Sequence, residues 1–285
     1  MKKFTLLSFL FVFFISFQLL AQKKQAGLDL KKLDEYIAKA QTDWNIPAVA
    51  VAVVKDGKVL FAKGYGTRNL SLKTAADENT LFAIASNSKA FTTTGLALMV
   101  DKGKLKWDDK VIKHLPWFES YDPYVTANMT VRDLITHRSG LGTFSGDVLW
   151  YHTNYSAKEV VRRAKYLTPA KGFREGFGYQ NIMFTAAGLV LEEVSGMSWG
   201  EFMKQNFLDP LEMKNSNYSV KQLDMAGNVA VPYQTEFDNS HTALNYLNWD
   251  NCAPAAAINS SVADMAKWMI FQLNNGKIAD KQVVS

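Results

Sequence analysis

The sequence contains little that could hold a metal ion or form a covalent crosslink. It has one cysteine, Cys252, and four histidines among 285 residues. A lone cysteine excludes an internal disulfide bond, and the histidines are too dispersed for any metal-ligand spacing. Repeats and low-complexity tracts are also absent. We therefore expect a globular protein that uses neither a metal nor another cofactor.

A strong excess of one charge is missing as well. The formal charge of +5 includes Lys2 and Lys3, so about +3 remains without them. Most basic residues are interspersed with Asp and Glu. The exception is the basic stretch 162–165, which follows Glu159 and is interpreted as a solvated helix face. Binding to nucleic acid is not expected from this pattern.

Residues 1–21 have the pattern of a secretory signal peptide. Lys2 and Lys3 precede an unbroken apolar run over 4–17, and the small residue Ala21 marks the cleavage point. A retained membrane anchor is the weaker alternative, because the apolar run is short for a bilayer span. No cysteine follows the cleavage point to accept a lipid. We expect an exported protein, periplasmic or extracellular, with no membrane span after processing.

The first part of the mature chain predicts a helix, a hairpin and a buried helix. Apolar periodicity indicates an amphipathic helix over 28–44. The apolar runs 48–54 and 59–66 flank Asp56-Gly57, a strong signal for a β-hairpin. The first run lacks polar alternation, so both faces of that strand are expected to be covered. The segment from Ser86 to Gly103 predicts a helix that is apolar on nearly every face and buried centrally.

After Gly103 the sequence is typical of helices and loops. Periodicity and capping patterns predict five helices, over residues 130–138, 154–166, 182–194, 198–207 and 261–274. An N-cap serine or threonine followed three residues later by an acid suggests a capping box at Thr130, Ser198 and Ser261. Residues 173–181 are interpreted as an aromatic, glycine-rich loop, and residues 218–251 mainly as loop.

Ser86 and Lys89 are the first candidates for chemistry. Their spacing of three places both side chains on one face of the first helical turn. A serine hydroxyl needs a base to become a good nucleophile, and burial favours the neutral, basic form of a lysine amine. N–H groups at a helix start would also favour developing negative charge. The alternative is a capping serine followed by a solvated lysine, since this spacing also occurs by chance.

Tyr179 and Asn181 are the second pair of candidates. Two residues apart in extended structure, their side chains would project to the same side. A phenol can relay a proton, and an amide can orient a base or a substrate carbonyl. Taken alone, the loop is equally explained by aromatic residues that pack on the core.

Five segments in this order resemble the superfamily of serine beta-lactamases and penicillin-binding proteins, and within it the class C-like branch of serine hydrolases, esterases and D-amino-acid peptidases. The resemblance covers about residues 28–274. It rests on Ser86-x-x-Lys89, Thr136-His-Arg-Ser-Gly-Leu141, Tyr179-x-Asn181, Asp209-Pro-Leu-Glu-Met213 and the segment 253–261.

The resemblance implies an α/β fold with an antiparallel sheet flanked by helices, an inserted helical domain and an active site in the cleft. Residues 28–100 would begin the α/β domain, 101–252 would form the helical and loop domain, and 253–285 would return to the α/β domain. The resemblance also implies Ser86 as the acylated nucleophile and Lys89 as general base. Tyr179 would relay a proton to the leaving group, and Asn181 would contact the substrate amide or Lys89.

The last motif of that superfamily is absent from the sequence. No Lys-Thr-Gly, Lys-Ser-Gly or His-x-Gly follows Asn181, and the sequence ends at Ser285. The resemblance therefore implies a truncated chain without its last sheet strands. One of the two oxyanion donors would be lost, at a cost of roughly a hundred- to a thousand-fold in turnover. The hairpin over 48–66 would also lack sheet partners, and we expect a poorly stable, weakly active chain.

The function expected from these residues is an exported serine hydrolase that cleaves a small-molecule or peptide amide or ester through an acyl-enzyme on Ser86. An esterase, a D-amino-acid peptidase and a beta-lactamase all fit the sequence. The alternative from another class is a non-catalytic cell-envelope or peptidoglycan-binding protein on the same scaffold. The sequence does not indicate an oligomeric state.

Overall fold

The structure is a computed structural model, and it describes residues 28–285. The predicted signal peptide, residues 1–21, lies outside the described residues. The chain divides into a compact unit that ends at Ala40 and a second one over Gln41–Ser285. The predicted first helix is present as α1, Leu30–Asp43, with Leu30, Leu33 and Ile37 along one face.

The predicted hairpin is confirmed. Strands β1 (Ala48–Lys55) and β2 (Lys58–Asn69) pair antiparallel, with a bulge at Val53/Val54. Asp56 and Gly57 both have positive φ, +50° and +70°, as a tight turn between right-twisted strands requires. The short β3 (Thr74–Ala75) extends the sheet in the order β1-β2-β3.

The expectation that both faces of β1 are covered is confirmed only in part. Residues 48–54 are all half-buried and Lys55 is exposed. Within residues 28–285, no strand pairs with the outer edge of β1. An unpaired edge leaves the backbone and the neighbouring side chains open to solvent, which accounts for the partial burial.

The central helix is also confirmed, and a short 3₁₀ turn precedes it. Strand β4 (Phe82–Ala83) runs into a 3₁₀ turn, Ala85–Asn87, and then into α2, Ser88–Asp101. Gly103 follows the helix with φ +68°, the left-handed conformation that commonly ends helices. The α2 side chains that are buried include Phe91 and Leu96, both without solvent exposure.

The middle of the chain consists of helices and loops. Its helices are α3 (Val111–His114), α4 (Pro123–Asn128), α5 (Val131–Ile135), α6 (Ala157–Arg162), α7 (Asn181–Ser195) and α8 (Trp199–Met203), and all of them except α7 are short. Helix α5 is shorter than predicted, because His137 takes a left-handed conformation with φ +58°. Helix α6 continues as a 3₁₀ turn over Arg163–Tyr166, and α8 as a π-helical turn over Lys204–Leu208.

The segment 218–251 is mainly loop, as predicted, but it contains one small hairpin. Strands β5 (Tyr233–Thr235) and β6 (His241–Ala243) pair antiparallel. Further along, α9 (Ala253–Ala256), β7 (Asn259–Ser260) and α10 (Val262–Leu273) precede the strand pair β8 (Lys277–Ile278) and β9 (Lys281–Gln282).

The predicted capping boxes differ in how complete they are. At Thr130 both halves are present: its side chain accepts the Asp133 N–H, and the Asp133 carboxylate accepts the Thr130 N–H. At Ser261 only the serine half forms, with the Asp264 N–H as donor. The Asp264 carboxylate instead accepts from Asn215 N at 2.9 Å, because it is buried against that loop.

One hydrophobic core joins the helices. Helix α2 packs on α7 and α9, and α7 packs on α5 and α6. The Phe91 ring stacks on Trp268 of α10, with ring centroids 3.7 Å apart. Because β4 pairs with β7 (Phe82 opposite Ser260), the segment 253–261 returns to the beginning of α2.

The architecture is α/β, with antiparallel strands and flanking helices, as predicted. The proposed domain limits, 28–100, 101–252 and 253–285, remain a prediction. Among residues 28–285, no helix is both long and apolar enough to cross a membrane.

Candidate active site

Ser86 lies at the sharp bend between β4 and α2. The residue before it, Ala85, has φ +45°, a left-handed conformation that costs a non-glycine residue roughly 1–2 kcal/mol. The bend turns the Ser86 side chain outwards, and Ser86 is exposed although α2 is a core helix. Strain of this kind persists where the surrounding structure enforces it, which is common at functional sites.

Lys89 lies one turn further along and is 7% exposed. Its Nζ is 3.0 Å from Ser86 Oγ, 2.7 Å from Asn181 Oδ1 and 3.0 Å from the carbonyl oxygen of Ala255. The amine also lies over the Tyr179 ring, 4.8 Å from its centroid. The alternative of a solvated lysine is therefore excluded for Lys89.

These contacts define what the Lys89 amine can do in each protonation state. The Asn181 Oδ1 and the Ala255 carbonyl oxygen can only accept hydrogen bonds, so they take two of its N–H groups. A protonated amine donates its third N–H to Ser86 Oγ. A neutral amine directs its lone pair there instead, where it can accept the hydroxyl proton. The geometry thus suits a base for Ser86.

Tyr179 contacts the same serine from the loop that precedes α7. Its hydroxyl is 2.6 Å from Ser86 Oγ. The Tyr179 carbonyl oxygen accepts the Phe144 N–H at 2.9 Å, which fixes the backbone. At Gly178 a Cβ atom would lie 2.0 Å from the carbonyl oxygen of Leu141, so only glycine permits this close approach.

Asn181 is the first residue of α7 and is buried. Its Oδ1 accepts from Lys89 Nζ, while its Nδ2 donates to Asp147 Oδ2 at 2.9 Å. The structure therefore brings together all four residues singled out from the sequence: Ser86, Lys89, Tyr179 and Asn181. Of the two contacts that the resemblance implied for Asn181, the one with Lys89 is present.

Nearly all of the described chain matches one family of proteins. The match is to the Beta-lactamase family, over residues 33–285. The chain belongs to the beta-lactamase family. This result agrees with the resemblance that the five sequence segments indicated.

Relatives and solved structures agree with this assignment. Protein flp from Staphylococcus aureus (strain MW2) is 28% identical in an alignment of 259 residues that covers 86% of this chain and 49% of the relative. An octameric penicillin-binding protein homologue from Pyrococcus abyssi superimposes with a TM-score of 0.76 at 24% identity, over 90% of this chain and 58% of that one. A D-amino acid amidase from Ochrobactrum anthropi SV3, in complex with D-phenylalanine, superimposes with a TM-score of 0.74 at 22% identity. The superposition covers 90% of this chain and 74% of the amidase.

This beta-lactamase family member spans about half the length of the curated relatives that it matches. The structural likenesses are below 25% identity and show the shared fold.

Two residues of this beta-lactamase-family site escaped the sequence analysis. His137 stacks on Tyr179 with ring centroids 4.5 Å apart, and its Nδ1 accepts the Gln180 N–H at 3.0 Å. Burial, and secondly the nearby charge of Lys89, lower the pKa of His137. His137 stood inside the quoted segment 136–141, but nothing in that segment indicated contact with Tyr179.

Asp147 is the other missed residue. It lies in a 3₁₀ turn, Asp147–Leu149, in a loop that carries no motif. Burial raises the pKa of Asp147, while hydrogen bonds from Trp150 and Asn181 and the charge of Lys89 act in the opposite direction. Its link to Asn181 spans 34 positions of sequence, so only the folded chain reveals it.

Metal ligands and an additional nucleophile are not apparent near the site. Across the described range 28–285, no group of three or more His, Cys, Asp or Glu side chains is placed to hold a metal ion. The thiol of Cys252 is fully buried, and burial raises its pKa to about 12, so it is a poor nucleophile.

Proposed function

We propose that this protein is an exported serine hydrolase that cleaves an amide or ester through an acyl-enzyme on Ser86. The single observation that carries the proposal is the convergence on one hydroxyl oxygen. Ser86 Oγ lies 3.0 Å from Lys89 Nζ and 2.6 Å from the Tyr179 hydroxyl. Both distances are within reach for proton transfer.

The proposed reaction has two halves. Lys89 takes the Ser86 hydroxyl proton as Oγ bonds to the substrate carbonyl carbon, and the proton then passes through Tyr179 to the leaving amine or alkoxide as its bond breaks. Water then attacks the acyl-enzyme, its proton returns to Ser86 Oγ, and a carboxylic acid is released. The Ser86 N–H lies in the 3₁₀ turn Ala85–Asn87 that leads into α2, and N–H groups at a helix start lack intrahelical acceptors and suit a developing oxyanion.

The substrate class is an amide or ester in this proposal. An amide agrees with one structural neighbour, a D-amino acid amidase. A beta-lactam, which is a cyclic amide, agrees with the family. Export is also a proposal, since its support is the signal-peptide pattern of residues 1–21. Sequencing the N-terminus of the mature protein tests it. A chain that begins at Met1 and remains in the cytoplasm would contradict export.

The acyl-enzyme is tested with a fluorophosphonate and with a labelled penicillin. Mass should be added to the peptide that contains Ser86, and the Ser86→Ala variant should remain unlabelled. Ser88 is the nearest rival, but its side chain is fully buried and its Oγ accepts the Ile258 N–H at 3.1 Å. An adduct on Ser88 would contradict the assignment. A folded protein that binds penicillin or peptidoglycan without any covalent adduct would favour the non-catalytic alternative.

A further inference from the structure

The Asn181 amide is held at both ends, and its two partners differ in chemistry. Its oxygen faces Lys89 Nζ at 2.7 Å, and its nitrogen faces Asp147 Oδ2 at 2.9 Å. The other carboxylate oxygen of Asp147 accepts the indole N–H of Trp150 at 3.0 Å. These contacts form a chain from Trp150 through Asp147 and Asn181 to Lys89 and the nucleophile.

The two ends of an asparagine amide have nearly the same shape but opposite hydrogen-bonding roles. The Lys89 amine has to find an acceptor at Asn181, or one of its N–H groups is left without a partner in a buried site. An ionised carboxylate only accepts, so Asp147 can pair with the Nδ2 end and not with the Oδ1 end. The orientation of the amide therefore depends on the chemistry of Asp147.

We propose that Asp147 is a positioning residue for the acylation reaction: its carboxylate fixes the Asn181 amide with the oxygen towards Lys89, and so keeps the Lys89 amine directed at Ser86. This inference rests on the proposed acyl-enzyme. Asp147 acts through Asn181 and touches neither Ser86 nor the expected position of the substrate carbonyl.

The surroundings of Asp147 are built to hold it in place. Trp150 is buried, and its ring stacks on Trp249 with centroids 4.5 Å apart. The indole N–H is thereby anchored, and it holds one carboxylate oxygen while the other reaches Asn181. Three charged or titratable groups interact with this network. The charge of Lys89 favours the ionised Asp147 and lowers the pKa of His137, and Asp147 helps to raise the pKa of the buried Cys252 thiol.

The Asp147→Asn variant tests the idea because it keeps the shape and removes the acceptor-only character. If the new amide turns its oxygen towards Trp150, its NH₂ group meets the Asn181 NH₂ group and forces that amide to flip. If it turns its oxygen towards Asn181, its NH₂ group meets the indole N–H of Trp150. The first arrangement takes the Asn181 oxygen away from Lys89. The second keeps that oxygen in place but loses the contact with Trp150 that anchors residue 147, so in both cases the direction of the Lys89 amine is less firmly fixed.

The measurements are the rate of Ser86 labelling by a fluorophosphonate and kcat and KM for a p-nitrophenyl ester, each between pH 5 and 10. Asp147→Asn is expected to lower kcat and the labelling rate roughly ten- to a hundred-fold, as a misdirected catalytic group does. KM should change less than threefold, and the pH profile of labelling should shift. Asp147→Glu, which restores an acceptor-only group, should recover part of the rate. Asp209→Asn, an exposed carboxylate paired with Lys204, is the matched control and should leave the rate unchanged.

A double-mutant cycle separates positioning from a general structural role. If Asp147 acts through Asn181, then Asp147→Asn should have little further effect in an Asn181→Ala background. Independent, additive effects of the two changes would overturn the inference, as would an unchanged rate and pH profile in Asp147→Asn.

Two further outcomes are distinguishable. A wild-type protein that is not labelled at Ser86 rejects the acyl-enzyme and the inference together, whereas normal labelling of both wild type and Asp147→Asn rejects the inference alone. If Asp147→Asn does not fold, Trp150→Phe takes its place, because it removes the indole N–H that anchors Asp147 and keeps an aromatic ring beside Trp249. A several-fold lower kcat at unchanged KM supports the inference, and an unchanged kcat overturns it.

Discussion

Replacing Lys89 with arginine removes proton transfer while keeping a positive charge at the centre of the site. Lys89 Nζ is 3.0 Å from Ser86 Oγ and is held there by Asn181 Oδ1 and the Ala255 carbonyl oxygen. A guanidinium can still donate to those two acceptors. It cannot accept the serine proton, because it stays protonated in proteins.

The expected size of the effect follows from these contacts. General-base assistance contributes roughly 10²–10⁴-fold, so labelling of Ser86 should slow by that factor in Lys89→Arg. The free energy of unfolding should change only moderately, because the two buried acceptors, Asn181 Oδ1 and the Ala255 carbonyl oxygen, still receive hydrogen bonds. The remaining cost comes from fitting a larger group where Lys89 is only 7% exposed. Overpacking of this kind typically costs about 1–3 kcal/mol.

The assay is the rate of fluorophosphonate labelling at Ser86, measured beside thermal unfolding by circular dichroism. Lys113→Arg is the matched control, since Lys113 is exposed and pairs with Asp109. Ser86 in this variant should be labelled at the wild-type rate. Labelling of folded Lys89→Arg within tenfold of wild type would refute the reasoning. The base role would then move to Tyr179, the other group within hydrogen-bond distance of Ser86 Oγ.

Two further predictions concern the Tyr179 side of the site. Tyr179→Phe removes the hydroxyl donor 2.6 Å from Ser86 Oγ. This variant should lower the rate of amide hydrolysis far more than the rate of p-nitrophenyl ester hydrolysis, because the p-nitrophenolate leaving group needs no proton. Equal losses of rate on both substrates would contradict the proton relay. Burial and the charge of Lys89 lower the pKa of His137 from its ordinary 6.5, so the unfolded chain binds this proton more readily and the free energy of unfolding should fall as the pH drops below about 6.5. Chemical denaturation from pH 7.5 to 5 should show a shallower decline for His137→Gln, and the same slope in both proteins would show that His137 does not contribute.

Local patterns were sufficient for the elements that hold the nucleophile. Asp56-Gly57 between apolar runs predicted the hairpin, because both residues accept the positive φ that the turn needs. The spacing of Ser86 and Lys89 predicted one shared helix face, and their 3.0 Å contact confirms it. Helix ends were predicted less well. Helix α5 stops at Ile135, short of the predicted residue 138, because His137 takes a left-handed conformation. His137 stacks on Tyr179, a contact with a distant segment that the local pattern does not reveal.

The sequence by itself determined which groups are available and which of them share a turn of helix or a short extended segment. Ser86 with Lys89, and Tyr179 with Asn181, are set by the helical and extended repeats of the backbone. Only the tertiary structure decided that the two pairs meet, because Tyr179 and Ser86 are 93 positions apart in the chain. It also decided the contacts of Asp147 and of the Ala255 carbonyl oxygen. Asp147 lies in no motif, and although Ala255 lies within the segment 253–261, nothing in that segment indicated that its carbonyl oxygen reaches Lys89. Their contacts arise where α7 and the returning segment 253–261 pack against α2, and the direction of a buried hydrogen bond is fixed by the partner that packing supplies.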